Sequence, residues 1–296
     1  MVISIMERYL TEFFRDQGYE PADAAYLLDI YGRVSGDPRA KTLWDEAMAL
    51  YDGDAGCSYD EIIHRADRVA ELLDFHHYTA ELLVFICLSR RLRERYAERG
   101  LDMDIFARSM ADLRYKLEEC KLVYGIRGSF VAGWFTGFFN LSRFGLGRLQ
   151  FELIPFGAEY EKDGHTLTAD STVVNVHIPR SGEPLTEEAC MDAYLRAKAL
   201  FGDRVADPCP FVCSSWLLYP EHEQFLPHHT NTYRFYKSFD IFASGYTKNR
   251  SNLWRLFDTM ECNPDKLPAD TSLRRAYVTH LKNGGQTGWG RGVLFV

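Results

Sequence analysis

The 296-residue chain contains no apolar run of the ~18 residues that a membrane-crossing helix requires. It also has no excess of positive charge. Lys and Arg number 34 against 42 Asp and Glu, a net charge of −8, which excludes the basic footprint expected of a nucleic-acid-binding protein. Its seven cysteines are odd in number and lack framework spacing, so a disulfide scaffold is excluded and a reducing, cytoplasmic setting is expected. The opening segment MVISIMERYLTEFFRDQG carries Glu7 and Glu12 and lacks a basic region followed by a small-residue cleavage site, so no signal peptide is expected. There is no Walker loop and no G-x-G-x-x-G, which leaves mononucleotide and dinucleotide sites unsupported.

Glycine and proline are scarce only in the first part of the chain. Residues 1–120 hold 6 of the 22 glycines and 2 of the 11 prolines. That part is written in helical period. Ile5, Tyr9, Leu10, Phe13 and Phe14 mark one apolar face. Asp37-Pro38 reads as a helix N-cap followed by proline at the first helical position. Ser58 with Glu61 forms a capping box before Ile62, Ile63, Ala66, Val69 and Ala70. A long helix runs through Leu82, Leu83, Phe85, Ile86 and Leu92, and another covers about 104–121. His76-His77 reads as a helix-start loop. Five or six helices joined by short loops predict an all-α domain over 1–121.

After Leu122 the pattern changes. GIRGSFVAGWFTGFF, RFGLGRLQFELIPF, LTADSTVVNVHIP, FVCSSWLLYP, FDIFASGYT and GRGVLFV read as strands. A helix over about 186–201 and a shorter one over about 231–237 interrupt them. The prediction is an α+β chain in which 122–296 form a mixed-sheet α/β domain. Charge follows the same division. Residues 1–120 carry 15 basic against 24 acidic residues, and the remainder 19 against 18, so the C-terminal part is the better host for an anionic ligand.

The most informative stretch is Val173–Pro220. Val173, Val174, Val176 and Ile178 form a strand that Pro179 ends. Arg180, Ser181 and Gly182 supply a cation, a hydroxyl and a flexible backbone. Pro184 and Leu185 lead to Thr186, an N-cap, with Glu187 and Glu188 in the first helical turn. A polar loop between a strand and a helix N-terminus cradles a phosphorylated ligand. The competing reading is an ordinary capped helix after a strand, since the two glutamates already complement the dipole. Polar residues also punctuate the strands: Arg148, Gln150 and Glu152 in one, Asn175 and His177 in another, Ser214 and Ser215 in a third. If these stripes face one cleft, Glu152 or His177 is a candidate general base; the alternative is a solvated sheet face. Cys209, Cys213, His222, His228 and His229 lie close in sequence, but C-x3-C followed by eight residues to His222 matches no common zinc site. No metal is expected.

LGRLQFELIPF, VVNVHIPRSGEPLT and FVCSSWLLYP resemble the GNAT-like C-terminal domain of bacterial two-part acyltransferases, and residues 1–120 are similar to their helical N-terminal domain. The resemblance covers nearly the whole chain. It implies an acyltransferase that uses acetyl-CoA or another acyl-CoA and a small-molecule acceptor with an amine or hydroxyl. It also implies that Arg180–Thr186 holds the CoA pyrophosphate, with Arg180, Ser181, Gly182, Leu185 and Thr186 as contacts. The strands around Val176 and Ile178 and over 211–217 would separate to admit the pantetheine arm. In TNTYRFYKSF, Asn231 would touch CoA and Tyr236 would protonate the leaving thiolate, with Tyr233 as competitor. The family loop is Q/R-x-x-G-x-G/A; here Arg180-Ser-Gly-Glu-Pro-Leu keeps the arginine without the glycine pair, and Glu183 adds a negative charge. A non-catalytic CoA- or phosphometabolite-binding module is the alternative that this departure raises. An interaction scaffold that docks a partner through the acidic helical domain is a third.

Overall fold

A computed structural model of the chain describes residues 4–52 and 58–296; Cys57 lies outside them. The chain divides into two compact units, residues 1–144 and 145–296.

The first unit consists of α1 (Ile5–Asp16), α2 (Pro21–Gly36), α3 (Pro38–Asp52), α4 (Tyr59–Leu73), α5 (His77–Glu98), α6 (Met103–Tyr124) and the short α7 (Thr136–Phe139). Asp37 and Ser58 cap their helices as predicted, but the reciprocal half of the Ser58–Glu61 box is not made, because the Glu61 carboxylate pairs with Arg65 at 2.6 Å. Asp37 Oδ1 accepts from the amide of Ala40 at 3.0 Å, and Ser58 Oγ accepts from that of Glu61 at 3.3 Å. His76 is the N-cap of α5, its Nδ1 accepting from the amide of Tyr78 at 3.1 Å. Leu82 to Leu88 are all fully buried, as in a helix surrounded on every side, so α5 is the axis of the unit.

The segment 125–139, expected to be β-rich, is not. After Gly125 caps α6 at φ +72°, the chain makes a 3-10 turn at Ala132–Phe135 and continues into α7. Phe135 and Phe139 both stack edge-on against Phe85 of α5. They sit four residues apart, a helical spacing that glycine and aromatic content disguised. The predicted boundary at 121/122 falls inside α6, and residues 122–144 pack with the helices because their aromatic side chains complete that core.

The second unit is built on β1 (Arg143–Leu146), which spans the division, β2 (Leu149–Pro155), β3 (Tyr160–Lys162), β4 (His165–Leu167), β5 (Thr172–His177), α8 (Glu187–Phe201), β6 (Pro210–Ser215), α9 (His222–Phe225), α10 (Asn231–Lys237), β7 (Asp240–Tyr246), α11 (Trp254–Phe257), α12 (Ser272–Lys282) and β8 (Gly288–Phe295). The main sheet has the order β1-β2-β5-β6-β8-β7; β3 and β4 form a separate hairpin. It is mixed: β5 and β6 are parallel, while β2–β5, β6–β8 and β7–β8 are antiparallel. The α+β expectation is met in both parts.

Two departures concern strand ends and helices. FVCSSWLLYP is a strand only to Ser215; Trp216–Leu218 form a 3-10 turn, capped by Ser215 Oγ, which accepts from the amide of Leu217 at 3.2 Å. Glycines of β8 make this turn possible. A Cβ on Gly290 would come within 2.0 Å of the Leu218 carbonyl oxygen, and one on Gly288 within 2.2 Å of the Tyr219 ring. The other departure is α12, absent from the sequence reading. Its signals were present: Thr271 caps it, accepting from the amide of Arg274 at 3.1 Å, and Tyr277, Val278 and Leu281 repeat at helical spacing on its buried face.

Candidate active site

The register of the central strands creates the site. Val174 lies opposite Phe211 and Asn175 opposite Val212, and there the β5–β6 register ends. β5 continues to His177 paired with β2, while β6 continues to Ser215 paired with β8. The two strands share a direction, so their C-terminal ends part company on the same edge of the sheet.

At that end Glu152 and His177 meet. Glu152 is the cross-strand partner of Asn175, and Gln150 of His177; residues at such positions share one face. His177 Nε2 lies 2.8 Å from Glu152 Oε1, and Asn175 Nδ2 lies 3.1 Å from both atoms. A carboxylate accepts only, so Nε2–H of the histidine and the Asn175 amide both donate to Oε1. Both side chains are partly exposed, 21% for His177 and 16% for Glu152. An imidazole held by a carboxylate and open to solvent is suited to receiving a proton. The sequence anticipated Glu152 and His177 individually. Asn175 was placed beside His177 by strand alternation; its bond to Glu152 came only from the cross-strand register.

The loop from Ile178 to Thr186 follows. Val176 is buried in the sheet, and Ile178 is half-buried. Gly182 adopts φ +78°, a left-handed conformation that favours glycine. Ser181 Oγ accepts from the amide of Glu183 at 3.2 Å. Thr186 caps α8, accepting from the amide of Ala189 at 3.2 Å, and Leu185 precedes it, half-buried. Arg180 forms a two-pronged ion pair with Asp258, its Nη2 at 2.9 Å from Oδ2. Asp258, in the left-handed conformation at the end of α11, also receives Arg274. Burial pushes the Asp258 carboxyl up, but Arg180 and Arg274 outweigh it and hold that carboxyl below its ordinary value.

Arg148 is not part of the β2 stripe. It lies in the turn between β1 and β2, is 9% exposed, and donates to the carbonyls of Glu183 and Pro179. Gln150, at 2% exposure, is buried rather than solvated.

Tyr236 sits in a different cluster, with Leu226, Tyr233, Leu253, Tyr277 and Leu281, and Trp216 packs on that cluster directly after β6. Its hydroxyl donates to the Pro220 carbonyl at 3.5 Å. Burial, followed by the charge of Glu223, pushes its phenol up, which keeps the proton on. Tyr233 donates to Glu223 Oε1 at 2.7 Å and stacks on His228. Asn231 opens α10, half-buried.

Three members of the cysteine–histidine segment, Cys209, Cys213 and His222, are core residues, while His228 and His229 are exposed. Cys209 and Cys213 are buried, and burial pushes the Cys209 thiol up to about 11. His222 is fully buried; Nδ1–H donates to the Leu217 carbonyl, and Nε2 accepts from the Tyr277 hydroxyl, so both ring nitrogens are engaged. Among the described residues no group of three or more His, Cys, Asp or Glu is placed to hold a metal ion. Nor is any described helix long and apolar enough to cross a membrane.

Parallel strands that separate, followed by a loop that enters a helix N-terminus, define a GNAT-like acyltransferase architecture. Residues 143–294 match the GNAT-like C-terminal domain family, and residues 8–141 match the N-acyltransferase N-terminal domain family. The chain belongs to this two-domain N-acyltransferase family. No curated protein matches it. Solved structures of the same fold include an acyltransferase mutant in complex with octanoyl-CoA (TM-score 0.74, 21% identity, covering 98% of this chain and 88% of that one). Another is an acyltransferase in complex with decanoyl-CoA and teicoplanin (TM-score 0.69, 22% identity, 96% and 87% covered). A third is an acyltransferase in complex with CoA and 10C-teicoplanin (TM-score 0.64, 20% identity, 97% and 99% covered).

Proposed function

We propose that this protein transfers an acyl group directly from acyl-CoA to an amine or hydroxyl of a small acceptor. The observation that carries the reading is the parting of β5 and β6 beyond Asn175 and Val212, with Glu152 and His177 on the neighbouring strand ends. Arg180–Thr186 then takes the CoA diphosphate at the N-terminus of α8. The pantetheine arm enters between the strands, where amides facing the gap polarise the thioester carbonyl.

The acceptor nitrogen or oxygen attacks the thioester carbon and gives up its proton to the Glu152–His177 pair. Collapse of the tetrahedral adduct breaks the carbon–sulfur bond, and Tyr236 returns a proton to the sulfur of CoA. Asn231 supports the bound CoA. The fold relatives hold octanoyl-, decanoyl- and unacylated CoA, so medium-chain donors belong in the test beside acetyl-CoA. Free thiols at Cys87, Cys120, Cys190, Cys209 and Cys213 suit a cytoplasmic setting.

Calorimetry with CoA and with acetyl-, octanoyl- and decanoyl-CoA tests the donor. Saturable binding is expected, and no heat at millimolar ligand across that panel overturns the proposal. Tyr236→Phe is expected to lower turnover and leave binding nearly intact; wild-type turnover moves the acid elsewhere. The second reading is a module that binds CoA or another phosphorylated metabolite without turnover. It is favoured by the single glycine of the loop, by Glu183, and by the engagement of Arg180 with Asp258. Release of free CoA thiol in the presence of an acceptor excludes that reading.

A further inference from the structure

We propose that Arg148, in the turn between β1 and β2, shapes the Arg180–Thr186 loop to receive a diphosphate. This rests on the reading of that loop as the acyl-CoA site. The Arg148 side chain donates from Nε to the Glu183 carbonyl at 2.8 Å and from Nη1 to the Pro179 carbonyl at 3.1 Å. These two carbonyls flank Arg180, Ser181 and Gly182. One planar guanidinium therefore holds the loop at both ends, a geometry its fixed fork suits and a lysine cannot reproduce.

The orientation of the carbonyls has a consequence for the amides. Both peptide bonds are trans. In a trans peptide the C=O and the following N–H point in opposite directions. Drawing the Pro179 carbonyl toward Arg148 turns the N–H of Arg180 to the far side of the loop. The other carbonyl that Arg148 holds belongs to the Glu183–Pro184 bond, which has no N–H to lose. Between them, Gly182 takes the left-handed φ of +78°. Phosphate loops generally present their amides through several glycines. Here a buried arginine orients a loop that has only one. Its permanent positive charge also sits behind the loop, with the sign that favours a bound diphosphate.

Calorimetry on the full chain tests this with CoA and with an acyl-pantetheine, which lacks the diphosphate. Arg148→Ala and Arg148→Lys are each expected to weaken CoA binding about tenfold or more, the scale of charge-assisted hydrogen bonds. Acyl-pantetheine affinity is expected to hold. The KM for acyl-CoA should rise with kcat little changed, and guanidinium ion added to Arg148→Ala should restore CoA affinity. Equal losses for both ligands, or CoA binding as in the wild type, overturn the proposal. Amide resonances of the wild-type protein, followed during CoA titration, decide the matter if the variants do not fold. A shift of the Arg180 amide is expected. Shifts at Ser181 and Gly182 without one at Arg180 overturn the role of Arg148 alone. No shift anywhere in Arg180–Thr186 overturns the loop as the CoA site, and the role of Arg148 with it.

Discussion

His177 Nε2 lies 2.8 Å from Glu152 Oε1 across the antiparallel β2–β5 pair, next to the point where β5 leaves β6. Neither residue is close to the other in sequence. Their meeting follows from a register in which Glu152 faces Asn175, two residues before His177 on the same face.

If this pair takes the acceptor proton, Glu152→Gln and His177→Ala should each lower turnover by about 100-fold or more, the range of general-base catalysis. Acyl-CoA affinity should stay near that of the wild type. Steady-state kinetics beside calorimetry separates the two quantities. Wild-type turnover in Glu152→Gln removes the carboxylate from the mechanism.

Arg180→Glu should weaken CoA binding at least several-fold, because it reverses a charge beside the diphosphate and sets a second carboxylate against Asp258. Asp258→Asn keeps the arginine charge and loses only its tether, so its effect should be smaller. Isothermal titration of both variants gives the ranking; the reverse order would place the anion elsewhere.

Acid should destabilise the protein through His222. Burial, first of all, lowers its pKa to about 4, against an unfolded value near 6.5. Above about pH 6.5 both states are neutral. As pH falls toward about 4, only the unfolded state takes up the proton, so stability drops, by about 3 kcal/mol in full. Asp258 acts in the same direction at lower pH, since its lowered folded pKa keeps the native carboxylate charged as the unfolded one protonates. Urea unfolding between pH 7 and pH 4 should show the His222 loss, and His222→Gln should flatten that part of the curve. An equal slope in the variant assigns the proton uptake to another group.

Gly290 and Gly182 should respond differently to alanine. At Gly290 the new Cβ meets backbone, the Leu218 carbonyl at 2.0 Å, so the turn after β6 must move; a loss of about 2 kcal/mol or more is expected. At Gly182 nothing lies within 4 Å, and the cost is the left-handed conformation alone, about 1 kcal/mol. Thermal melts rank the two, and equal shifts would mean that the turn can yield.

Much of the helical unit was legible in the chain. Ser58, Asp37 and the apolar spacings of α1 and α4 are local signals, and local hydrogen bonds obey them. The failures share a cause. Residues 125–139 carry aromatic and glycine content that suits strands, but their partner is the face of α5, which sequence spacing alone does not reveal. Arg148 alternated with apolar residues as a strand residue does, yet the turn at Gly147 placed it under a loop more than thirty positions away.

By itself the sequence determined where the capped helices of the first unit begin, that the strand ending at Pro179 feeds a capped helix, and that the loop between them is polar with one glycine. These depend on contacts within a few residues. Only the tertiary structure decided that Glu152, Asn175 and His177 converge, that Arg180 is anchored by Asp258, and that β5 and β6 separate. Each of those joins distant segments, and their pairing is settled by sheet register and by which residues, such as Gly288 and Gly290, let another segment approach.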